Sequence, residues 1–142
     1  MGTFETFDHT ADVGLRIEGD SLADLLETAA RAVFSVVLLD LPEKVEVQRD
    51  VRVQLAPELE GLEELLVEWL QELLYHFETK RLVPLAFDFR EKGPRALHAR
   101  VGFGRFDPAL HRTGLEVKAV TYHGLEVRQE ASRWTARIIL DV

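Results

Sequence analysis

The sequence contains no cysteine. A disulfide framework is therefore excluded, and so is a zinc site built on thiolates. A chain without cysteine suits a reducing compartment, and the opening segment MGTFETFDHT has neither the basic nor the apolar region of a signal peptide. We therefore expect a cytoplasmic location.

Long apolar runs and positive charge are also scarce. The longest apolar run is VVLL at 36–39, which is far shorter than a membrane span. The formal net charge is -8, whereas an open electrostatic grip on nucleic acid needs clustered Lys and Arg. We expect no membrane insertion and no strong direct binding of nucleic acid, while a basic protein partner remains compatible with this charge.

Motifs of common enzyme classes are missing as well. There is no Walker loop, and GFG at 102–104 lacks the third glycine and the following helix of a dinucleotide site. The few serines have no convincing His and Asp partners, which argues against a hydrolase triad. No histidine pair has the spacing of a zinc site, and His9, His111 and His123, which flank loops, are the better functional candidates.

The chain does carry a clear order of strand and helix patterns. Strand periodicity, helical spacing of apolar residues and turn residues mark the elements. In chain order they are a strand at 13–19, a helix at 22–39 capped by Ser21 and stopped by Pro42, a strand at 45–55, a helix at 62–77, and strands from residue 82 onward. This order predicts an α+β fold, with a largely antiparallel sheet carrying two helices on one face, in a single domain spanning 1–142.

Two carboxylates stand at the ends of this pattern. Asp12 enters the first predicted strand, and Asp141 follows the apolar run 138–140 of the last one. Because that run should hold the strand in the sheet, the main-chain carboxylate of Val142 should be held too. These groups could form an all-oxygen site for Ca²⁺ or Mg²⁺. Alternatively, Asp12 caps a turn and the C-terminus is solvated.

Four motifs resemble the archease family. They are HTADVG, LLVEWLQELLYHFETKRLVPLAFDF, EVKAVTYHGLEV and WTARIILDV, in order and with similar spacing from about Phe4 to Val142. Archeases are small α+β proteins that activate the RtcB-type RNA ligase in tRNA splicing and RNA repair. The resemblance implies a protein that is not itself an enzyme, has this ligase as its partner, and promotes ligase guanylylation and multiple turnover.

The resemblance also implies which residues form the site. It assigns a divalent metal ion, Ca²⁺ or Mg²⁺, to Asp12, Asp141 and the carboxylate of Val142. Residues that would orient these ligands or contact the partner are His9, Thr10, Lys118 and His123.

The chain departs from the family pattern at one position. The family ends the strand before the irregular loop in Gly-Glu, whereas Arg105 stands here in place of the acid. Asp107 is the candidate replacement.

Two other functions stay open. One is a chaperone-like binding module for an RNA-modifying enzyme such as a tRNA methyltransferase, which needs the partner surface but no metal. The other is a metal-dependent phosphohydrolase that uses Asp12 and Asp141, although no general base is evident.

Overall fold

The computed structural model describes residues 1–9, 12–59 and 61–142. Within them the chain forms seven strands and two helices. In order they are β1 (Thr3–His9), β2 (Asp12–Gly19), α1 (Leu22–Val37), β3 (Val47–Gln54), α2 (Leu62–Lys80), β4 (Leu82–Lys92), β5 (Ala96–Arg105), β6 (Ala119–Glu130) and β7 (Arg133–Asp141).

The strands form two antiparallel sheets, one four-stranded in the order β1-β2-β7-β6 and one three-stranded in the order β3-β5-β4. The predicted α+β class is confirmed. The sequence analysis expected a single sheet, whereas the structure has two. The division falls at 106–118, a segment without a named strand, after which β6 pairs with β7 rather than with β5. Each helix packs against both sheets.

A single apolar cluster fills the space between the helices and the sheets. Trp69 of α2 is completely buried in it, and its indole Nε1 donates a hydrogen bond to the carbonyl oxygen of Leu26 in α1 at 3.0 Å. Burying a large apolar side chain of this kind contributes roughly 1.5–3 kcal/mol. No helix in the described part of the chain is long and apolar enough to cross a membrane.

Helix α1 begins as predicted and ends earlier. The Ser21 hydroxyl accepts a hydrogen bond from the Asp24 amide at 3.0 Å, which satisfies a free N–H of the first turn. At the other end, Leu38 is already extended and Leu39 lies outside the helix. The amide of Leu39 donates to the carbonyl of Arg112 at 2.9 Å, so contacts with the 106–118 segment end the helix before Pro42.

Strand β1 is an additional element that the sequence analysis did not predict. Phe4 and Phe7 are three residues apart, so they fit neither strand alternation nor a longer helical stripe. Pairing with β2 decides their conformation, because Phe7 lies opposite Gly14 and its ring covers that residue.

Candidate functional site

In the four-stranded sheet, a row of residues lying opposite one another across neighbouring strands contains residues from near both ends of the chain. The backbone register places His9 opposite Asp12, Asp12 opposite Asp141, and Asp141 opposite Ala119. Directly opposed residues of antiparallel strands have Cβ atoms roughly 4.5–5.5 Å apart on the same face. The fold therefore brings Asp12 and Asp141, which are far apart in sequence, into a facing pair.

The pair lies on the outer face of the sheet. Along β2, Asp12 and Arg16 alternate with Leu15 and Ile17, whose side chains are completely or almost completely buried in the core. Asp12 is half-buried and Asp141 is exposed. Like charges directly opposed across strands are destabilising, and a bound cation would relieve that repulsion.

The C-terminus beside this pair is held in place. Ile138 and Leu140 are fully buried, and Val142 packs against the core cluster. The amide of Lys118 donates a hydrogen bond to the carbonyl oxygen of Asp141 at 2.7 Å, which extends the pairing of β6 with β7. Residues 138–142 are thus held in the sheet and against the core.

The donor set fits a hard divalent cation. Asp12, Asp141 and the Val142 terminus offer carboxylate oxygens, which Ca²⁺ and Mg²⁺ prefer. Among the described residues no group of three His, Cys, Asp or Glu side chains could hold a metal, so a cation at the two aspartates would need a further ligand of another kind. The terminal carboxylate is the predicted one.

The remaining candidates have different positions. Lys118 is exposed and contributes its main chain next to Asp141. Thr10 and the side chain of His9 lie outside the described part of the chain. His123 lies in a bulge of β6 between Thr121 and Glu126, outside the regular ladder with β7.

The bulge that contains His123 is anchored to helix α2. The hydroxyl of Tyr122 donates to the carboxylate of Glu68 at 3.2 Å. Burial raises the pKa of Tyr122, and the neighbouring Glu68 carboxylate adds to this effect. Tyr122 is therefore a neutral donor at neutral pH, and it ties the bulge to the helix.

Two carboxylates, those of Glu46 and Asp107, line the same depression as Arg105. The amide of Arg105 donates to the Glu46 carboxylate at 3.3 Å. Asp107 accepts from the Ala109 amide at 2.9 Å and so closes its own turn. The role of Asp107 as a replacement ligand stays a prediction.

An exposed apolar surface was missed by the sequence analysis. Leu39, Leu41, Leu110 and Leu115 are each about half to three-quarters exposed, at 61%, 47%, 72% and 51%. Leu39 lies between two depressions, one shared with Leu41 and Leu110 and the other with Leu115 and Val13. The sequence pattern assigned Leu39 to the buried helix, so it contained no signal for this leucine surface.

The fold and the site define a class, namely small α+β proteins with a carboxylate pair where an early strand meets the C-terminal one. Residues 4–142 match the model of the Archease protein family, and the chain belongs to that family. This confirms the resemblance carried by the four sequence motifs.

Named relatives are similar in sequence to this chain over nearly their full length. The chain is 38% identical to protein archease of Pyrococcus abyssi, with 100% of both chains covered. It is 34% identical to protein archease of Methanosarcina mazei, with 98% of this chain and 95% of that one covered.

Solved structures agree as well. The solution structure of protein 1598 of Methanobacterium thermoautotrophicum is similar, with a TM-score of 0.71, 31% identity and 98% of each chain covered. The crystal structure of an archease from Thermotoga maritima, described as a possible chaperone, has a TM-score of 0.64 at 19% identity, with 97% of this chain and 96% of that chain covered, and shows the shared fold.

Proposed function

We propose that this protein activates an RtcB-type RNA ligase in tRNA splicing and RNA repair, by promoting ligase guanylylation and repeated turnover without joining RNA itself. The observation that carries the proposal is the facing pair Asp12 and Asp141 beside a held C-terminus. Membership of the archease family supports the choice of partner.

The residues of the site would hold the ion and present it to the partner. Asp12 and Asp141 supply two side-chain carboxylates, and Val142 supplies the terminal one. A bound Ca²⁺ or Mg²⁺ would offset two of these three negative charges and could be presented to the ligase. The hydrogen bond from Lys118 to the main chain of Asp141 restrains the strand that carries two of the three ligands.

The leucine surface supports contact with a protein partner. Apolar side chains exposed together on a small protein commonly mark an interaction site. The depression of about 570 Å³ lined by Leu39 and Leu115 also includes Val13, which adjoins Asp12 in the chain. A partner seated on the leucines would therefore come close to the carboxylate pair.

The test is a ligation assay with the ligase far below the RNA concentration. We expect the protein to increase the number of turnovers, and Asp12→Asn or Asp141→Asn to abolish the increase with limiting metal. Asp88→Asn, which alters an exposed carboxylate paired with Arg90 on the other sheet, serves as the matched control. Full activation by both site variants would refute the carboxylate site.

The second candidate is a chaperone-like binding module for an RNA-modifying enzyme such as a tRNA methyltransferase. The exposed leucines favour it, because they need a partner but no metal. In that case Leu39→Ser would impair the function while Asp12→Asn would leave it intact. Binding of the ligase by Asp12→Asn without activation would favour the first proposal.

A further inference from the structure

A second charged row crosses the same outer face of the four-stranded sheet. The register of β2 and β7 places Arg16 directly opposite Arg137, four pairs along from Asp12 and Asp141 and on the same face. Like charges in this arrangement repel each other unless a group of opposite sign lies between them. The row is therefore a candidate for binding an anion.

Both guanidinium groups are positioned by one aromatic ring. The central carbon of the Arg16 guanidinium lies 4.3 Å from the ring centroid of Phe7, and that of Arg137 lies 5.2 Å from it. The ring can take this place because residue 14 is glycine, where a Cβ would lie only 2.2 Å from Cζ of Phe7. Stacking of this kind restrains flexible side chains before a ligand arrives.

Each nearby carboxylate is already paired with an arginine, in one case with Arg16 of the row itself. Glu5, which lies opposite Arg16 on β1, accepts a hydrogen bond from the Arg16 guanidinium at 3.2 Å. Glu126, which lies opposite Arg137 on β6, is paired with Arg128. The third carboxylate, Glu18, is paired with Arg133.

Arg137 keeps an unused donor as a result. Its Nε is buried and has no hydrogen-bond partner among the described residues. A buried donor without an acceptor costs free energy, which a phosphate oxygen would recover once the Arg137 side chain turns Nε toward it. An open cavity of about 480 Å³, lined by Arg16 and Arg137 and with Thr135 in its wall, is large enough for a small oxyanion.

We propose that Arg16 and Arg137, held by Phe7, form a binding site for a single phosphate group. A phosphate group is negatively charged and its oxygens suit the planar fork of a guanidinium, so it can accept from Arg137 and share Arg16 with Glu5. Glu18 and Glu126 flank the cavity and would repel a longer run of phosphates. The ligand is therefore a terminal phosphate monoester, either of a free nucleotide or of an RNA end.

Calorimetric or NMR titration at low salt tests the site, with three probes in separate arms. These are inorganic phosphate, guanosine monophosphate and a short RNA carrying a 3′-phosphate. We expect the Arg137→Gln variant to bind the phosphate probes about tenfold more weakly or worse. Arg90→Gln, which removes an exposed arginine of the other sheet, should bind as the wild type does.

Two further variants keep the test decisive if Arg137→Gln does not fold. Arg137→Lys keeps the charge but loses the planar fork, so it should bind with intermediate affinity. Glu126→Gln removes a repelling carboxylate and should bind more tightly. Tighter binding of the nucleotide or of the RNA identifies the source, whereas no binding, or binding unaffected by every variant, overturns the proposal.

The phosphate site does not depend on the proposed activation of a ligase. Its binding is measured on the isolated protein, without ligase and without added metal. A protein that binds phosphate but fails to stimulate ligation would refute the proposed function alone. Stimulation without phosphate binding would refute the site alone.

Discussion

At the scale of single residues, the carboxylates of Asp12 and Asp141 repel each other. A cation bound between them would attract both and outweigh this repulsion. We predict that adding Ca²⁺ raises the melting temperature of the wild-type protein. A ligand at 100 times its dissociation constant stabilises a folded protein by about 2.7 kcal/mol. Asp12→Asn and Asp141→Asn should lose this increase, as measured by thermal unfolding in chelator and in added Ca²⁺.

The cation-free state provides the complementary measurement. Removing one of two opposed like charges changes stability by only about 0.2–1 kcal/mol and in the favourable direction. Asp141→Asn should therefore unfold in chelator at or slightly above the wild-type temperature. A Ca²⁺ response that survives in both variants would place the cation elsewhere.

A second prediction at this scale concerns Asp40 and Arg112. Hydrogen bonds from the Arg112 side chain and amide lower the pKa of Asp40 from its ordinary 3.8 to about 2. Since the folded pKa is the lower one, the stabilisation is fully present above pH 3.8 and is lost as the pH falls through about 2. Carboxyl NMR titration should show this pKa.

The variant Asp40→Asn provides the control for that titration. It removes the charge that pairs with Arg112, so its stability should depend less on pH between about 4 and 2 than that of the wild type. Denaturant unfolding at several pH values measures the difference. Identical pH dependence of the two proteins would show that the pairing of Asp40 with Arg112 does not contribute to stability.

At the scale of elements, strand β7 carries two of the three proposed ligands. We predict that deleting Val142, or adding residues after it, impairs ligase activation far more than an N-terminal tag does. An added residue converts the terminal carboxylate into a neutral amide carbonyl beside Asp141. The measurement is ligase guanylylation, with circular dichroism as the folding control.

The N-terminal tag is a suitable comparison because it breaks only an exposed contact. The amino group of Met1 pairs with Asp20 at 3.0 Å in full contact with solvent. Exposed pairs of this kind contribute little to stability. Equal activation by untagged, N-tagged and C-tagged protein would leave Asp12 and Asp141 to bind the cation without the terminus.

The pairing of β1 with β2 gives another prediction at this scale. Gly14→Ala places a methyl group where the Phe7 ring lies, so the ring must move and the hairpin should lose about 1–3 kcal/mol. Denaturant unfolding measures the loss. Phe7→Ala combined with Gly14→Ala should show less than the sum of the two single losses, because the clash is then absent.

At the scale of the whole molecule, the net charge of -8 governs long-range interactions. We predict that the isolated protein binds RNA only weakly at physiological salt, since affinity for a polyanion comes mainly from many phosphate contacts. One phosphate site at Arg16 and Arg137 is compatible with that expectation. Submicromolar binding of RNA in a filter or anisotropy assay without ligase would contradict it.

The sequence by itself determined the features that depend on local pattern. The apolar stripe of α2, the Ser21 cap and the alternation of β5 follow from nearest neighbours and appear in the structure at the expected places. The family motifs identified the archease family and indicated Asp12 and Asp141. These features were predictable because spacing along the chain sets which face a side chain occupies.

Tertiary structure alone decided what depends on register and on distant contacts. The facing of Asp12 with Asp141 and of Arg16 with Arg137 requires the pairing of β2 with β7, and a shift of one residue would move each side chain to the other face. The end of α1 depends on Arg112, whose carbonyl takes the Leu39 amide and leaves that leucine exposed. Such contacts join residues with no relation in sequence spacing, so only the folded chain brings them together.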